Sequence, residues 1–208
     1  MQRKLQHLGI SPLIALVGII LFLGLFTACG GTDGTPSGTT NSSGVTWKSD
    51  GVVSEGEYTS TKIISDTFTL WWNTDSTYIY IAMEGTSPIS AGYVGLGFLP
   101  SNWTPSMQKM NTDAIIGFVV AGKATVVDTF ITGVIGPHPN DSKNDVEQSS
   151  GSINGNTTLI EFKRKLNTGD NRDQTIIKGT NKIMWAVGFD PEENGAHAAR
   201  GYSEIEIQ

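Results

Sequence analysis

An all-β domain of short antiparallel strands is the fold class this 208-residue sequence predicts, and three observations predict it. Runs rich in Val, Ile, Thr, Tyr and Trp alternate with clusters of Asn, Asp, Gly, Ser and Pro. No window of the folded part sustains an apolar period of 3.6 residues. Several breaks are hairpin-sized and supply residues that tolerate positive φ: Asn73-Thr74-Asp75-Ser76, Ala121-Gly122-Lys123, Asn154-Gly155-Asn156 and Gly179-Thr180. Many short strands without helices pack as a sandwich or a barrel.

The chain opens with MQRKLQHLG, which carries Arg3 and Lys4 and no acid, and runs into the apolar stretch Ile10 to Ala28. That order is a secretory signal. Small residues, Thr27 and Ala28, precede Cys29 in FTACGG, which reads as a lipoprotein cleavage box with Phe26 where Leu is commonest. An uncleaved anchor helix is the alternative, because nineteen residues, broken mainly by Ser11 and Pro12, rising 1.5 Å each come close to the roughly 30 Å hydrocarbon core. Both readings place the rest of the chain outside the cytoplasm, held to the membrane. Cys29 is the sole cysteine, which excludes disulfides, cysteine zinc sites and thiol catalysis. A diacylglyceryl thioether on Cys29 with acylation of the new amino terminus would give the two or more chains that stable anchoring needs.

Residues 1–28 are thus the expected signal, and residues 29–44 the lipidated cysteine and a linker. GGTDGTPSGTTNSSG has no apolar side chain large enough to bury, so it reads as a flexible tether. Residues 45–208 are the folded domain, large enough for one core. The whole chain carries a formal charge of −6, and without Arg3 and Lys4 it carries −8, which disfavours a nucleic-acid partner.

Within the domain, strands are expected near 57–64, 67–73, 77–84, 92–99, 113–121, 124–132, 147–153, 157–164, 175–178, 181–189 and 200–207. In TYIYIAME both faces are apolar, Tyr78, Tyr80 and Ala82 on one and Ile79, Ile81 and Met83 on the other. This strand is central, and something must cover its second face. In GYVGLGFL, Val94, Leu96 and Phe98 form one face, and Tyr93, Gly95, Gly97 and Leu99 the other. Glycines at alternate positions leave either a shallow trough for a flat group or room for close packing. Met83 and Met184 fall in strand patterns and read as core.

The order of DGVVSEGEY (Asp50 to Tyr58), FTLWWNTDSTYIYIAMEG, YVGLGFLPS, NTDAIIGFVV and HAARGYSEIEI resembles the DOMON family over residues 48–207. The resemblance implies an antiparallel β-sandwich of two sheets, immunoglobulin-like in architecture. It also implies one of two functions: b-type haem binding in extracellular electron transfer, or binding of sugars or other small ligands. Carried onto this chain, the axial ligands of the haem-binding members become His197 in HAARG and a methionine of PSMQKMNTDA, Met110 or else Met107. The family pattern sets that methionine one residue further from the aspartate than Met110, where this chain has Lys109. A one-residue shift in extended chain turns a side chain to the opposite face. Lys109 or Arg200 would pair with a propionate.

A thioether and an imidazole on opposite faces of a porphyrin favour the ferrous state, which suits a one-electron carrier that is not itself a catalyst. The rival is a carbohydrate-binding module without haem. Trp71 and Trp72 are adjacent, so one faces the core and the other is offered to a ligand. A structural or partner-docking module is a third possibility. Haem requires His197 and a loop methionine to converge; sugar requires an exposed aromatic platform with polar neighbours.

Other chemistry finds little footing. His138, in GPHPND, reads as a surface turn, and no G-x-S-x-G, HExxH or phosphate-binding glycine loop is present. The acids of DPEENG and PNDSKNDVE lack calcium-loop spacing and read as solvated loop charges. Asn41, Asn102, Asn140 and Asn156 begin Asn-x-Ser/Thr triplets.

Overall fold

The computed structural model describes residues 46–107, 111–133 and 138–208. Cys29, Lys109, Met110, the signal segment and the linker lie outside the described residues. Ten strands are described: β1 (Ser60–Ser65), β2 (Phe68–Thr74), β3 (Tyr78–Thr86), β4 (Val94–Phe98), β5 (Thr112–Val120), β6 (Lys123–Ile131), β7 (Gln148–Asn154), β8 (Thr157–Lys165), β9 (Gly179–Gly188) and β10 (His197–Ile207). They form two five-stranded antiparallel sheets, ordered β1-β2-β3-β8-β7 and β10-β9-β4-β5-β6. The two-sheet sandwich expected from the residue pattern and the family resemblance is therefore the fold.

Alternation places the core. Leu70, Trp72, Ile81, Met83, Ile160 and Phe162 point inward from the first sheet, and Leu96, Phe98, Ile115, Ile183 and Trp185 from the second. Glycines let the sheets approach closely. A Cβ on Gly117 would come within 2.8 Å of Ile160, and one on Gly85 within 2.4 Å of Val94. At Ala121-Gly122 the hairpin joining β5 and β6 takes φ of 51° and 76°, the pair of positive values that a two-residue turn matched to strand twist demands.

The outer face of β3 is covered, as its apolar pattern requires, by the segment 46–59. Trp47 packs on Tyr80 at 5.0 Å between ring centroids. Glu161 on β8 fastens the segment: its carboxylate accepts the backbone N–H groups of Asp50 (3.1 Å) and Gly51 (2.6 Å) and the Tyr58 hydroxyl (2.8 Å). Glu57 in turn accepts N–H bonds from Lys48 and Ser54. Burial pushes the Tyr58 hydroxyl far above its ordinary range, and the Glu161 charge adds to the shift. The DGVVSEGEY motif is thus a strap whose carboxylates bind backbone.

The structure corrects four local readings. Residues 175–178 are not a strand, and Gly179-Thr180 opens β9 instead of making a hairpin. Ile176 is anchored by one backbone bond to Leu166, and the Asn181 side chain occupies the backbone groups of Ile177, so no ladder forms there. The last strand starts earlier than the expected 200–207: His197 begins β10, beside a bulge that ends at Ala199. Asp141 and Asp145 are not solvated: both side chains are buried against the end of β6.

Candidate functional site

The second sheet carries the site on its outward face. Strand pairing sets Arg200, Ala186, Gly95 and Ile116 in one row and Tyr202, Met184, Gly97 and Ala114 in the next. Four strands spaced by the usual 4.7–4.9 Å make a floor roughly 14 Å wide. Small residues occupy its centre, so the floor is flat where most sheets bristle. A Cβ added at Gly95 would meet nothing nearer than 3.7 Å, which leaves that part of the trough open. Over Gly97 the trough is filled by the Met184 side chain, which lies 2.4 Å from where a Cβ would stand.

Walls rise around this floor to enclose a cavity of about 490 Å³, within the 300–1,000 Å³ of small-molecule and cofactor sites. Tyr93, Ile131, His138, His197 and Tyr202 contribute to its lining. Trp103 stacks at 4.4 Å on Tyr202, and its loop is pinned by Lys182, whose ammonium donates to the Ser101 and Trp103 carbonyls. A small cluster of Leu99, Trp103, Ala114, Ile131 and Met184 backs the lining away from the main core.

His197 and Tyr93 form the polar centre of the cavity. The Tyr93 oxygen lies 2.5 Å from His197 Nδ1 and 3.3 Å from the Gly195 carbonyl. One proton arrangement satisfies both contacts: Nδ1–H donates to the tyrosine oxygen, whose own O–H donates to Gly195. Burial pushes the Tyr93 hydroxyl up to about 12, with Arg200 pulling the other way, so it is a neutral hydrogen-bonding group at physiological pH. A histidine held through Nδ1 ligates through Nε2, and such outer contacts orient metal-binding imidazoles.

The cavity thus gathers His197, Arg200 and the glycine face of β4. Arg200 stands exposed at the rim. Met107 ends a short 3₁₀ turn, Pro105–Met107, is 48% exposed, and is not among the described lining residues. Met110 and Lys109 lie outside the described residues. Trp72 is buried in the core, its indole N–H donating to the Glu206 carbonyl at 3.1 Å, so it offers no ligand platform. Trp71 faces outward, beside Tyr58 in a shallow second concavity bordered by Glu55, Thr59 and Ser60.

Among the lining residues that sequence reasoning missed are His138, Met184 and Tyr202. His138 had no signal, since its loop meets the cavity only through tertiary contacts such as the bond of its backbone N–H to Asn194 Oδ1. Met184 is buried, as its strand pattern implies, but on the cavity side rather than between the sheets. Tyr202 was legible only as an alternating position of β10. The described residues suit a flat cofactor: an open floor at Gly95, apolar walls, an oriented imidazole and a cationic rim.

"DBH-like monooxygenase protein 1" of Mus musculus is 34% identical over 105 residues, which is 50% of this chain and 16% of that protein. The Homo sapiens protein of the same name is 33% identical over 97 residues, 47% of this chain and 15% of that one. The chain therefore matches only about a sixth of the length of these relatives. Among solved structures, the cytochrome domain of Myriococcum thermophilum cellobiose dehydrogenase is 16% identical with a TM-score of 0.49, covering 68% of this chain and 75% of that one. The cytochrome b domain of pyranose dehydrogenase from Coprinopsis cinerea is 15% identical with a TM-score of 0.46, covering 66% and 75%. The DOMON domain sequence model matches residues 64–188, more than half of the chain, and the protein belongs to the DOMON domain family.

Proposed function

We propose that the cavity on the second sheet binds a b-type haem and that the domain, held outside the cell membrane through lipidated Cys29, relays single electrons. The observation that carries this reading is His197, fixed through Nδ1 by Tyr93 on the wall of a flat-floored apolar cavity. His197 and Met110, or else Met107, would hold the haem iron. When bound, the haem supplies a one-electron couple.

The chain's own residues do the rest. Gly95 admits a flat group against the sheet, and the apolar walls exclude water from it. Tyr93 holds the imidazole proton at Nδ1. Arg200 offers a cation at the rim to a propionate. The domain would act as a carrier and not as a catalyst alone, with redox proteins as its partners.

The test is an absorption spectrum of the purified chain reconstituted with haem, oxidised and then reduced with dithionite, beside His197→Ala and Met110→Ala. Sharp reduced bands of a six-coordinate low-spin haem, lost in the variants, support the reading. Failure to retain stoichiometric haem refutes it. A second reading, glycan binding, rests on Trp71 beside Glu55, Thr59 and Ser60 in the shallow concavity. It is tested by a glycan screen with Trp71→Ala.

A further inference from the structure

On strands that also line the haem-type cavity, one end of the sandwich buries more negative charge than the side chains around it neutralise. Asp113 at the start of β5, Asp128 on β6 and Asp173 in the segment after β8 bring one carboxylate oxygen each within 4.8 Å of one another. A single guanidinium lies among them. Arg164 on β8, fully buried, donates from Nη1 to Asp113 Oδ1 at 3.1 Å and pairs through Nη2 with Asp113 Oδ2 at 2.9 Å. Neighbouring Asp141 and Asp145 have cations of their own, Arg172 and Lys143. Three carboxylates against one guanidinium leave a formal charge of −2.

Hydrogen bonding shows the same imbalance independently of the charge count. Asp128 is 2% exposed; its Oδ2 accepts the Asp145 N–H at 3.0 Å, while Oδ1 meets no donor among the described residues. Asp173, with 3% of its side chain exposed, leaves Oδ2 without a hydrogen bond among the described residues, the Arg164 Nη2 standing off at 3.8 Å. Asp145 Oδ2 is in the same position. A buried carboxylate oxygen without a partner is costly, and a cation is what relieves it.

We propose that Asp113, Asp128 and Asp173 form a binding site for a hard divalent cation, calcium in preference to magnesium. An all-oxygen donor set selects hard cations. Three points no more than 4.8 Å apart lie within about 2.8 Å of a common centre. Small adjustments bring that radius to the 2.3–2.6 Å of calcium, whereas magnesium demands near-ideal octahedral geometry at 2.0–2.1 Å. The Asp145 backbone N–H, bonded to Asp128 Oδ2, fixes that carboxylate and leaves its Oδ1 unpartnered among the described residues.

The cation would brace the segment 139–147, which folds onto β6 through the bonds of Phe130 N–H to the Pro139 carbonyl and Asp141 N–H to the Asp128 carbonyl. His138, the residue before this segment, lines the large cavity. Occupancy at the acidic cluster therefore steadies a wall of the other site, whichever ligand that site takes.

The experiment is calorimetric titration and thermal melting of the full chain, stripped with EDTA, against calcium chloride and magnesium chloride. Calcium is expected to bind one per chain and, at 100 times its Kd, to raise Tm by about 5–10 °C. Asp128→Asn and Asp173→Asn are each expected to weaken calcium at least tenfold without lowering the Tm of the stripped protein. A purely structural role would lower that Tm. The absence of heat and of any Tm shift at millimolar calcium overturns the site, as does calcium affinity unchanged in both variants. A stronger response to magnesium overturns the choice of ion.

Discussion

Replacing Tyr93 with Phe removes one oxygen and little else. The ring is buried and lies against Gly188, where a Cβ would come within 2.1 Å of it, so the phenylalanine keeps the packing. What goes is the 2.5 Å contact to His197 Nδ1 and the 3.3 Å contact to the Gly195 carbonyl. Loss of such hydrogen bonds costs the fold about 1 kcal/mol, which a domain of this size survives. Loss of the group that orients a ligating histidine costs far more at the metal, typically 10–100-fold in affinity, or about 1.4–2.7 kcal/mol. The assay is haem titration followed by absorbance, in competition with a reference haem-binding protein, on the parent, Tyr93→Phe and His197→Ala. Haem affinity should fall 10–100-fold in Tyr93→Phe and further in His197→Ala, with urea midpoints close to the parent's. An affinity within twofold of the parent in Tyr93→Phe would refute the argument that this hydroxyl holds the ligand.

Gly95→Leu should leave the melting temperature nearly unchanged, because the new Cβ meets only ordinary contacts, yet abolish haem uptake by filling the trough; uptake at the parental level would show that the trough is not the ligand floor. Trp72→Ala should cost 3–5 kcal/mol in urea unfolding as a core truncation, and Trp71→Ala much less, since only Trp72 is locked between the sheets. Equal losses would contradict the facing of β2. Burial holds the Glu161 carboxyl above its usual range, so the native state keeps a proton that the unfolded chain has released. Its contribution is therefore greatest below the unfolded value and declines as pH rises toward the folded one. Glu161→Gln should flatten that part of the urea-midpoint profile between pH 4 and 8, and an identical slope in the variant would remove Glu161 as its source.

The positions of most strands, and their facing, were legible in the sequence because alternation with period two is a local property of a pleated chain. Leu96 and Phe98 turn inward and Gly95 and Gly97 outward, and a covered outer face of β3 follows from Tyr78, Tyr80 and Ala82 alone. The alternate glycines allowed a trough or close packing, and the structure holds both: the face is open at Gly95, and at Gly97 the Met184 side chain packs into the space. His197 was legible only through the family resemblance, and its place at the head of β10 was not, because a run of small residues carries no strand period.

What the tertiary structure alone decided is everything that depends on which distant segments meet. Tyr93 and His197, 104 positions apart, share a hydrogen bond that neither local pattern implies. His138, flanked by prolines, becomes part of a cavity wall because its loop bonds to Asn194. Asp113, Asp128 and Asp173 look like scattered acids along the chain, one in a strand of otherwise apolar residues, and only the sandwich draws them around Arg164. Periodicity tells a residue which way to face; the company it finds there is set by long-range strand pairing and loop closure, which no short window of sequence contains.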